Sequence, residues 1–280
     1  MPSRYDLHAH STASDGSLSP AQLMQRAHAA GIEVMALTDH DTLDGLTEAS
    51  TAAASLGMAF VPGVEVSVSW QKLTIHVLGL GVSSDCEVLQ KGLAGLREFR
   101  DWRAQEIGRR LGDAGVSDAF EGARALSGGR LISRTHFARF LVDRGHAPDV
   151  RSVFRRFLVS GKPGHVSGRW ASLEDAVSWI RTAGGDAVIA HPARYPLTRS
   201  KLRRLLGEFV EVGGAGLEVV SGSHSRDDYF TMAAHARDFG LRASAGSDYH
   251  GPEHPWIELG HLPELPDGCK PIWKEWQISH

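Results

Sequence analysis

Residues 5–16 read YDLHAHSTASDG and place His8 and His10 two positions apart near the start of the chain. Side chains alternate between the two faces of a strand, so these two imidazoles point the same way. Asp15 follows in a turn before Gly16. Two imidazoles at the end of a strand can hold one cation together, although a single H-x-H pair also occurs by chance on polar strand faces.

The same arrangement recurs in other segments that we predict to be strands. VMALT runs directly into an Asp-His-Asp sequence, AFVPGVEVSV holds an acid among apolar residues, and LTIHVLGLG holds an imidazole. DAVIAH ends in a histidine before proline, and RASAGS is followed by Asp-Tyr-His. Active sites in α/β barrels and open sheets form at the carboxyl ends of the strands. These positions add six candidate metal ligands, namely His40, Glu65, His76, His191, Asp248 and His250.

Short apolar segments alternate with amphipathic helical stretches along most of the chain. Ser19-Pro20 opens one such helix and Gly31 ends it. Repeated β-then-α units of this length predict parallel strands, wound as a barrel or an open sheet. VEVSVSWQKLTIHVLG is different, because two alternating runs joined by a few polar residues are typical of a hairpin.

Residues 85–166 break this rhythm and read as helices, in the runs CEVLQKGLAGLREFRDWRAQEIGRRLGDAG, THFARFLVDRG and DVRSVFRRFLVSG. We therefore predict an α/β domain made of residues 1–84 and 167–280, with residues 85–166 as a helical insertion that covers the active site. Residues 97–169 hold fifteen Lys and Arg against eight Asp and Glu, a balance of +7, whereas the whole chain carries −3. This asymmetry indicates an anionic partner near the insertion, although most of these arginines are expected to form a solvated helical surface.

The bulk composition excludes several classes of protein. Hydrophobic residues make up 42% and charged residues 22%, close to globular averages, so a full core is expected and disorder is not. No apolar run reaches the roughly 18 residues needed to cross a bilayer, and the first residues lack the pattern of a secretory signal. Cys86 and Cys269 belong to no C-x-x-C pattern. We therefore expect a cytoplasmic protein without membrane association or an obligate protein partner.

The candidate ligands are six imidazoles and three carboxylates, with no thiolate among them. Such a set suits manganese, iron or zinc and disfavours a structural thiolate-zinc site. At three or four protein ligands per ion, these groups serve two or three divalent metals and leave positions open for water. Glu65 is the expected bridge, because a carboxylate can span two cations and a neutral imidazole cannot.

Six segments of the chain resemble the motifs of the PHP family, named for its DNA polymerase and histidinol phosphatase members: DLHAHSTASDG, ALTDHDT, GVEVS, IHVLG, VIAHP and SAGSDYH. They extend from one end of the chain to the other, and their combined order is highly specific. The resemblance implies a distorted seven-stranded α/β barrel with a binuclear or trinuclear metal site, for which manganese is the expected ion. It assigns His8, His10, Glu65 and Asp248 to one metal, Glu65, His76 and His191 to a second, and Asp15, His40 and His250 to a third.

Within this family the chain is similar to small bacterial phosphoesterases with a helical insertion, among them 3′,5′-nucleoside bisphosphate phosphatases related to RNase AM. This similarity implies a phosphatase that removes the 3′-phosphate of a nucleoside 3′,5′-bisphosphate and leaves a 5′-nucleotide. No Ser or Cys nucleophile with a neighbouring base is evident in the sequence, so attack by metal-bound hydroxide is the simplest scheme. His191 and His224 are candidates for the general acid that protonates the leaving group.

The insertion is expected to supply substrate specificity. Arg134 and Lys162 are the leading candidates for holding a second phosphate, because guanidinium and ammonium groups pair strongly with phosphate oxygens. Thr135 is predicted to cap the following helix, whose N-terminus would point amides at an anion. A surface salt bridge for Arg134 and a turn position for Lys162 are the ordinary structural alternatives. The remaining candidates on the substrate side are His136, Arg194 and His224.

Other functions remain open from the sequence alone. A 5′-to-3′ exonuclease on short 5′-phosphorylated RNA or DNA would favour a groove lined with aromatic residues, and the insertion has aromatic residues, but at helical spacings typical of a core. A histidinol phosphatase would not need a basic insertion, because its substrate carries a cationic amine. The complete ligand set disfavours a non-catalytic metal-binding regulatory module, and the motif order disfavours an amide hydrolase. The expected partner is a small anionic nucleotide, with short single-stranded RNA or DNA as the alternative.

Overall fold

The computed structural model describes residues 4–128, 130–253 and 256–276. Its strands are β1 (Tyr5–Asp6), β2 (Val34–Leu37), β3 (Ala59–Trp70), β4 (Leu73–Leu80), β5 (Asp186–Ile189), β6 (Gly216–Ser221) and β7 (Arg242–Gly246), and they form one sheet in chain order. The residues that follow β1 also meet β7, since Leu7 donates a backbone hydrogen bond to Ala245 (2.9 Å) and Ala9 bridges to Tyr249. The sheet closes on itself, and the predicted distorted seven-stranded barrel is confirmed.

Among the described strands, β4 alone runs antiparallel to both of its neighbours, β3 and β5. β3 and β4 form the predicted hairpin, in which Trp70 pairs with Leu73 and Gln71 turns the chain with a φ of 53°. The other strand pairs are parallel, so their carboxyl ends lie at one rim of the barrel. Because β4 runs the other way, its first half reaches that rim, and His76 lies there.

The described helices are α1 (Pro20–Ala29), α2 (Leu46–Ser55), α3 (Glu87–Asp113), α4 (Ala119–Leu126), α5 (Arg134–Asp143), α6 (Val150–Val153), α7 (Leu173–Thr182), α8 (Arg199–Glu211) and α9 (Arg226–Asp238). Ser19 caps α1 ahead of Pro20, as predicted, and Ser172 caps α7 by accepting the N–H of Asp175. Five of these helices, α1, α2, α7, α8 and α9, pack against the strands or one another outside the barrel. None of the described helices is both long and apolar enough to cross a membrane.

The alternation of side chains along β3 separates the core from the site. Val64, Val66 and Val68 join a large apolar cluster that includes Ile180 of α7. Glu65 lies between two of these valines, so its side chain points to the opposite face, into the barrel mouth. The burial of the valines therefore fixes the direction of the carboxylate.

The segment between β4 and α7 is helical, as predicted, but it also contains α4, which the sequence pattern did not indicate. α3 serves both parts of the molecule. Leu89 and Leu93 near its start belong to the barrel cluster, whereas Ile107 and Leu111 near its end join a separate cluster with α4–α6. A π-helical turn, Phe154–Leu158, continues α6. The division into domains at residues 85 and 166 stays a prediction.

Candidate metal centre and substrate cavity

The fold brings the nine candidate ligands to one rim of the barrel. Their nitrogen and oxygen atoms form four overlapping groups, each with all its atoms within 4.8 Å of one another. The groups are His10 with Asp15, His40 and His250; His8 with Glu65 and His191; His8 with His10 and Asp248; and His40 with Glu65 and His76. Every metal ligand predicted from the strand ends therefore lies in the cluster, and ligation itself remains a proposal.

Glu65 lies at the centre of the cluster and is fully buried. Its Oε1 atom is 2.8 Å from His76 Nδ1 and 3.1 Å from His191 Nε2. Its Oε2 atom is 2.9 Å from His40 Nδ1 and 3.2 Å from His10 Nε2. Both oxygens of this carboxylate are within reach of imidazole nitrogens, and its bridging role stays a prediction.

Several buried polar atoms of the cluster lack a well-aligned hydrogen bond: Asp15 Oδ1, Glu65 Oε2, His40 Nδ1 and His191 Nδ1. The contact between Glu65 Oε2 and His40 Nδ1 is short, but its alignment is not that of a hydrogen bond. Buried polar atoms without partners are costly and rare in folded proteins. Buried nitrogen and oxygen atoms without hydrogen-bond partners suit divalent cations, and their chemistry fits manganese, iron or zinc.

The charges of the cluster are strongly coupled. Burial alone would raise the pKa values of the three carboxyl groups, but the neighbouring imidazoles hold them well below their usual range. The largest lowering influences are His250 on Asp15, His76 on Glu65 and His8 on Asp248. Burial lowers the pKa of His191 to about 4. The cluster thus presents ionised carboxylates, which is the form that binds a cation.

Glu218 lies beneath the cluster and was not among the predicted residues. Its Oε1 atom is 3.0 Å from His8 Nδ1, and its Oε2 atom accepts the backbone N–H of His191 at 2.5 Å. His191 has a φ of 29°, so this hydrogen bond helps to hold a backbone conformation that L-residues rarely adopt. The only signal in the sequence is a glutamate inside the apolar strand GLEVV.

Asp39 organises the loop that carries His10. One of its oxygens accepts the N–H of Ser11 at 2.8 Å and the hydroxyl of Ser14 at 2.5 Å, and the other accepts the Ser11 hydroxyl at 2.6 Å. Ser14 Oγ in turn lies 3.5 Å from His10 Nδ1. The first aspartate of the Asp-His-Asp sequence therefore positions a ligand from another strand.

Some of the predicted substrate residues line the cavity in front of the cluster, and others do not. Arg134, Thr135 and Arg194 line it. Thr135 Oγ1 donates to Asp15 Oδ2 at 3.2 Å, but Thr135 is not the helix cap as predicted. Ser133 caps α5, and buried His136 completes the capping box by accepting the Ser133 N–H. His136 is therefore a structural residue of the helix start and not a lining residue.

Lys162 and His224 also lie away from the cavity lining. Lys162 is exposed in a tight turn, where its N–H donates to Val159 O, and a turn position was the structural alternative for it. His224 is buried, with Nδ1 3.2 Å from Val219 O and Nε2 accepting the N–H of Ala193 at 3.3 Å. Its ring contacts the backbone of the turn before Arg194, and the contact of His224 with substrate stays a prediction.

Neither His191 nor His224, the two candidates for the general acid, has the environment of a protonated imidazole that is free to donate. Both ring nitrogens of His224 contact the backbone. Burial keeps His191 neutral at neutral pH, and neutral imidazole is the form that binds a metal rather than the form that donates a proton. These contacts argue against both assignments.

Seven residues that were not predicted as site residues also line the cavity: Ser67, Thr74, Arg100, Arg103, Ser133, Phe154 and Trp170. The guanidiniums of Arg100 and Arg103 lie over the Trp170 ring, 4.9 and 5.3 Å from its centroid, and that of Arg134 lies 5.4 Å from the Phe154 centroid. Burial, together with the charges of Arg134 and Arg100, lowers the pKa of Arg103 to about 9. Like charges gathered in a buried cavity favour the binding of an anion.

Comparison with known proteins places this geometry in a family. The family model of the PHP domain matches residues 6–182. The chain belongs to the PHP domain family.

Two relatives and one solved structure are similar over nearly the whole chain. A 3′,5′-nucleoside bisphosphate phosphatase of Chromobacterium violaceum is 51% identical over 271 residues, covering 96% of this chain and 95% of that protein. A 5′-3′ exoribonuclease of Haemophilus influenzae is 41% identical over 275 residues, covering 98% of this chain and 100% of that protein. The structure of an amidohydrolase from Chromobacterium violaceum, with bound sulfate and no metal, is 50% identical with a TM-score of 0.93, covering 98% of this chain and 95% of that one.

Proposed function

We propose that this PHP protein is a metal-dependent phosphatase that hydrolyses the 3′-phosphate of nucleoside 3′,5′-bisphosphates and releases a 5′-nucleotide and phosphate. The observation that carries the proposal is that carboxylates and imidazoles of the cluster share one cavity with the guanidiniums of Arg103 and Arg134. A substrate with a phosphate at each end of a nucleoside would match both parts of that cavity. The 51% identity to a protein named for this activity supports the same assignment.

We propose two or three divalent metals per chain, with manganese as the ion. The nine residues of the cluster would hold them, with Glu65 shared between ions. When bound, such ions neutralise phosphoryl charge and make water nucleophilic at neutral pH. Asp39 and Glu218 would keep the ligands oriented through their hydrogen bonds to the ligand-bearing loops and to His8.

We propose that Arg194 binds the phosphoryl group that is transferred. Its Nη1 atom lies 2.5 Å from Asp248 Oδ2, and its side chain is half-exposed at the cavity. Guanidinium groups pair with phosphoryl oxygens and stabilise the charge that develops when the bond to the 3′-oxygen breaks. Arg194 would therefore act on the reacting phosphate, beside the cluster.

Arg103 and Arg134 would bind the second phosphate, on the 5′ side of the nucleoside. In the described part of the chain, neither guanidinium forms a salt bridge with a carboxylate, although both are largely buried. The Trp170 and Phe154 rings pack against the guanidiniums of Arg103 and Arg134. A phosphate dianion would offset their mutual repulsion, which explains why the cavity tolerates both.

A 5′-to-3′ exonuclease on short 5′-phosphorylated RNA or DNA is the second candidate, supported by the 41% identity to a protein named as an exoribonuclease. Both reactions break the bond between a 3′-oxygen and its phosphorus, in a nucleotide that carries a 5′-phosphate. A cytoplasmic location and independence from an obligate protein partner also remain part of the proposal.

The test is a substrate panel with Mn²⁺-loaded protein. Phosphate release from adenosine 3′,5′-bisphosphate should be much faster than from histidinol phosphate or from either adenosine monophosphate, and the product should be the 5′-monophosphate. Shortening of 5′-phosphorylated oligoribonucleotides without release of phosphate from the bisphosphate would transfer the assignment to the exonuclease. Loss of both reactions at full metal occupancy would favour a binding module.

A further inference from the structure

Arg100 connects the long helix α3 to the loop that follows β2. Its Nε atom donates to Asp41 Oδ2 at 2.6 Å, and its Nη2 atom donates to Ser67 Oγ at 2.8 Å. Arg100 is 7% exposed and Asp41 is fully buried. The neighbouring Arg97 donates to the Asp41 carbonyl at 3.1 Å. A guanidinium from α3 therefore reaches a residue adjacent to the candidate ligand His40.

Asp41 occupies a strained turn between two candidate ligands. Its φ is 51°, in the left-handed region that non-glycine residues rarely adopt. Its N–H donates to Glu65 O at 3.0 Å, and its Oδ1 atom accepts the Ser67 N–H at 2.7 Å. Glu65 N in turn donates to Asp39 O at 3.1 Å, so His40 is held in a short bridge against Glu65. Rotation of the Asp41 side chain would break its hydrogen bond to the Ser67 N–H, which lies beside this bridge.

We infer that Arg100 is a positioning residue for the metal centre, which fixes His40 and Glu65 through Asp41 and so couples α3 to metal affinity. The inference rests on the proposed metal-dependent function. Breaking a buried ion pair leaves an uncompensated charge and allows the partner to move, and Asp41 has its other oxygen committed to β3. The helix that begins the insertion thereby sets the shape of a site built on barrel residues.

The direction in which Arg100→Gln changes the metal affinity distinguishes a positioning role from a purely electrostatic one. Arg100 is a cation beside a site for cations, so its charge alone opposes metal binding. If charge were its main influence, Arg100→Gln would strengthen metal binding. If it positions the ligands, the same change weakens metal binding although a repulsive charge has been removed.

Arg103 provides a matched control. It lies three positions after Arg100 in the same helix, and its guanidinium lies over the same Trp170 ring. Its Nε atom donates to Val166 O and makes no contact with Asp41. Arg103→Gln therefore removes a similar charge near the site while leaving the Asp41 turn untouched.

The experiment measures Mn²⁺ affinity of the metal-free full chain by competition with a chelator, with free Mn²⁺ followed by electron paramagnetic resonance. Arg100→Gln should weaken binding by about 10- to 100-fold, the range typical of residues that orient metal ligands. Arg103→Gln should bind Mn²⁺ as tightly as the wild type or more tightly. Asp41→Asn combined with Arg100→Gln should lose no more affinity than the more affected single variant, because both act through one contact.

Unchanged or tighter binding by Arg100→Gln would overturn the inference. Thermal unfolding checks that the variant folds, and Arg100→Lys provides a milder change, since it keeps the charge but can reach only one of the two acceptors. Arg100→Lys should lose part of the affinity, and full retention would also count against positioning. The proposed phosphatase activity is tested independently of this inference. It is wrong if the wild type binds Mn²⁺ tightly yet releases no phosphate from the bisphosphate.

Discussion

His8 Nδ1 lies 3.0 Å from Glu218 Oε1, and both side chains are fully buried. A carboxylate in this position fixes the tautomer and the orientation of the imidazole, which leaves Nε2 to face the cluster. Glu218→Gln should therefore weaken Mn²⁺ binding by about 10- to 100-fold with little change in volume. Titration of metal-free protein with Mn²⁺ measures this, and exposed Glu211 offers the control Glu211→Gln. Equal affinities for the two variants would show that Glu218 does not orient a ligand.

Arg134 and Lys162 are expected to differ in their effect on substrate binding, because Arg134 lines the cavity and Lys162 does not. Arg134→Ala should raise KM for a 3′,5′-bisphosphate by about tenfold or more, the loss expected for one charge-assisted hydrogen bond, with a much smaller effect on a 3′-monophosphate. Lys162→Ala should leave both values unchanged. Steady-state kinetics on the two substrates provide the test, and equal effects of Arg134→Ala on both would remove it from the second-phosphate site.

Replacement of Arg103 is expected to have opposite effects on the stability of the ligand-free protein and on nucleotide binding. Burial and the neighbouring guanidiniums disfavour its charge in the ligand-free cavity. Arg103→Met should raise the Tm of the ligand-free protein or leave it unchanged, yet reduce the further stabilisation by adenosine 5′-monophosphate. Differential scanning fluorimetry with increasing nucleotide measures both quantities. Retained stabilisation by the nucleotide would place its phosphate elsewhere.

Removal of the metals should make stability fall with rising pH. Burial alone would lower the pKa of His10, but hydrogen bonds to Asp248 and Glu65 outweigh it and raise the pKa to about 10. The pKa of His10 is higher in the folded state than its ordinary value of 6.5. Its protonated form therefore stabilises the fold fully below pH 6.5, and this contribution is lost as the pH rises from 6.5 to about 10. The Tm of chelator-treated protein should fall across this interval. The Mn²⁺-loaded protein, whose ligands are deprotonated by the metal, should show a smaller fall in calorimetry, and parallel curves would contradict the coupling.

Gly108 allows α3 and α4 to approach closely. A Cβ atom there would lie 2.5 Å from Phe120 Cβ. Gly108→Ala should destabilise the protein by about 1–3 kcal/mol, the usual cost of overpacking. Gly112→Ala, one turn further along α3, meets nothing within 4 Å and should stabilise it by up to about 1 kcal/mol. Urea unfolding of both variants measures the difference, and a neutral Gly108→Ala would mean that the helices can separate without cost.

The barrel and the ligand cluster were predictable because both follow from strand periodicity. A polar residue at the end of each apolar strand, such as His191 after DAVIA, must lie at the same rim as the others once the strands are parallel. His76 lies inside its strand, and it reaches the rim because β4 is reversed. The predicted hairpin contains that reversal.

The residues that support the ligands were harder to predict, because their partners come from distant parts of the chain. Arg100 and Arg103 have the spacing of an ordinary helix surface, and only the packing of α3 turns them toward the cavity. Glu218 contacts His8 across 210 positions of sequence. His136 and Lys162 do not line the cavity, and the reason is local: a capping box and a tight turn use the same polar residue types as an anion site.

The reversal of β4 also suits the barrel to the exchange of the helical segment between β4 and α7. β4 returns the chain to the end of the barrel opposite the ligand cluster. α3 therefore runs about 20 Å along the outside of the barrel, from Glu87 to Arg100, before Arg100 contacts Asp41 at the rim. Residues beyond that contact pack mainly with one another, and the chain rejoins the barrel where Ala171 bridges to Val68. A designer could therefore graft a different cap between Arg103 and Ala171 and keep the hydrolytic machinery, provided that Arg97 and Arg100 stay with the barrel.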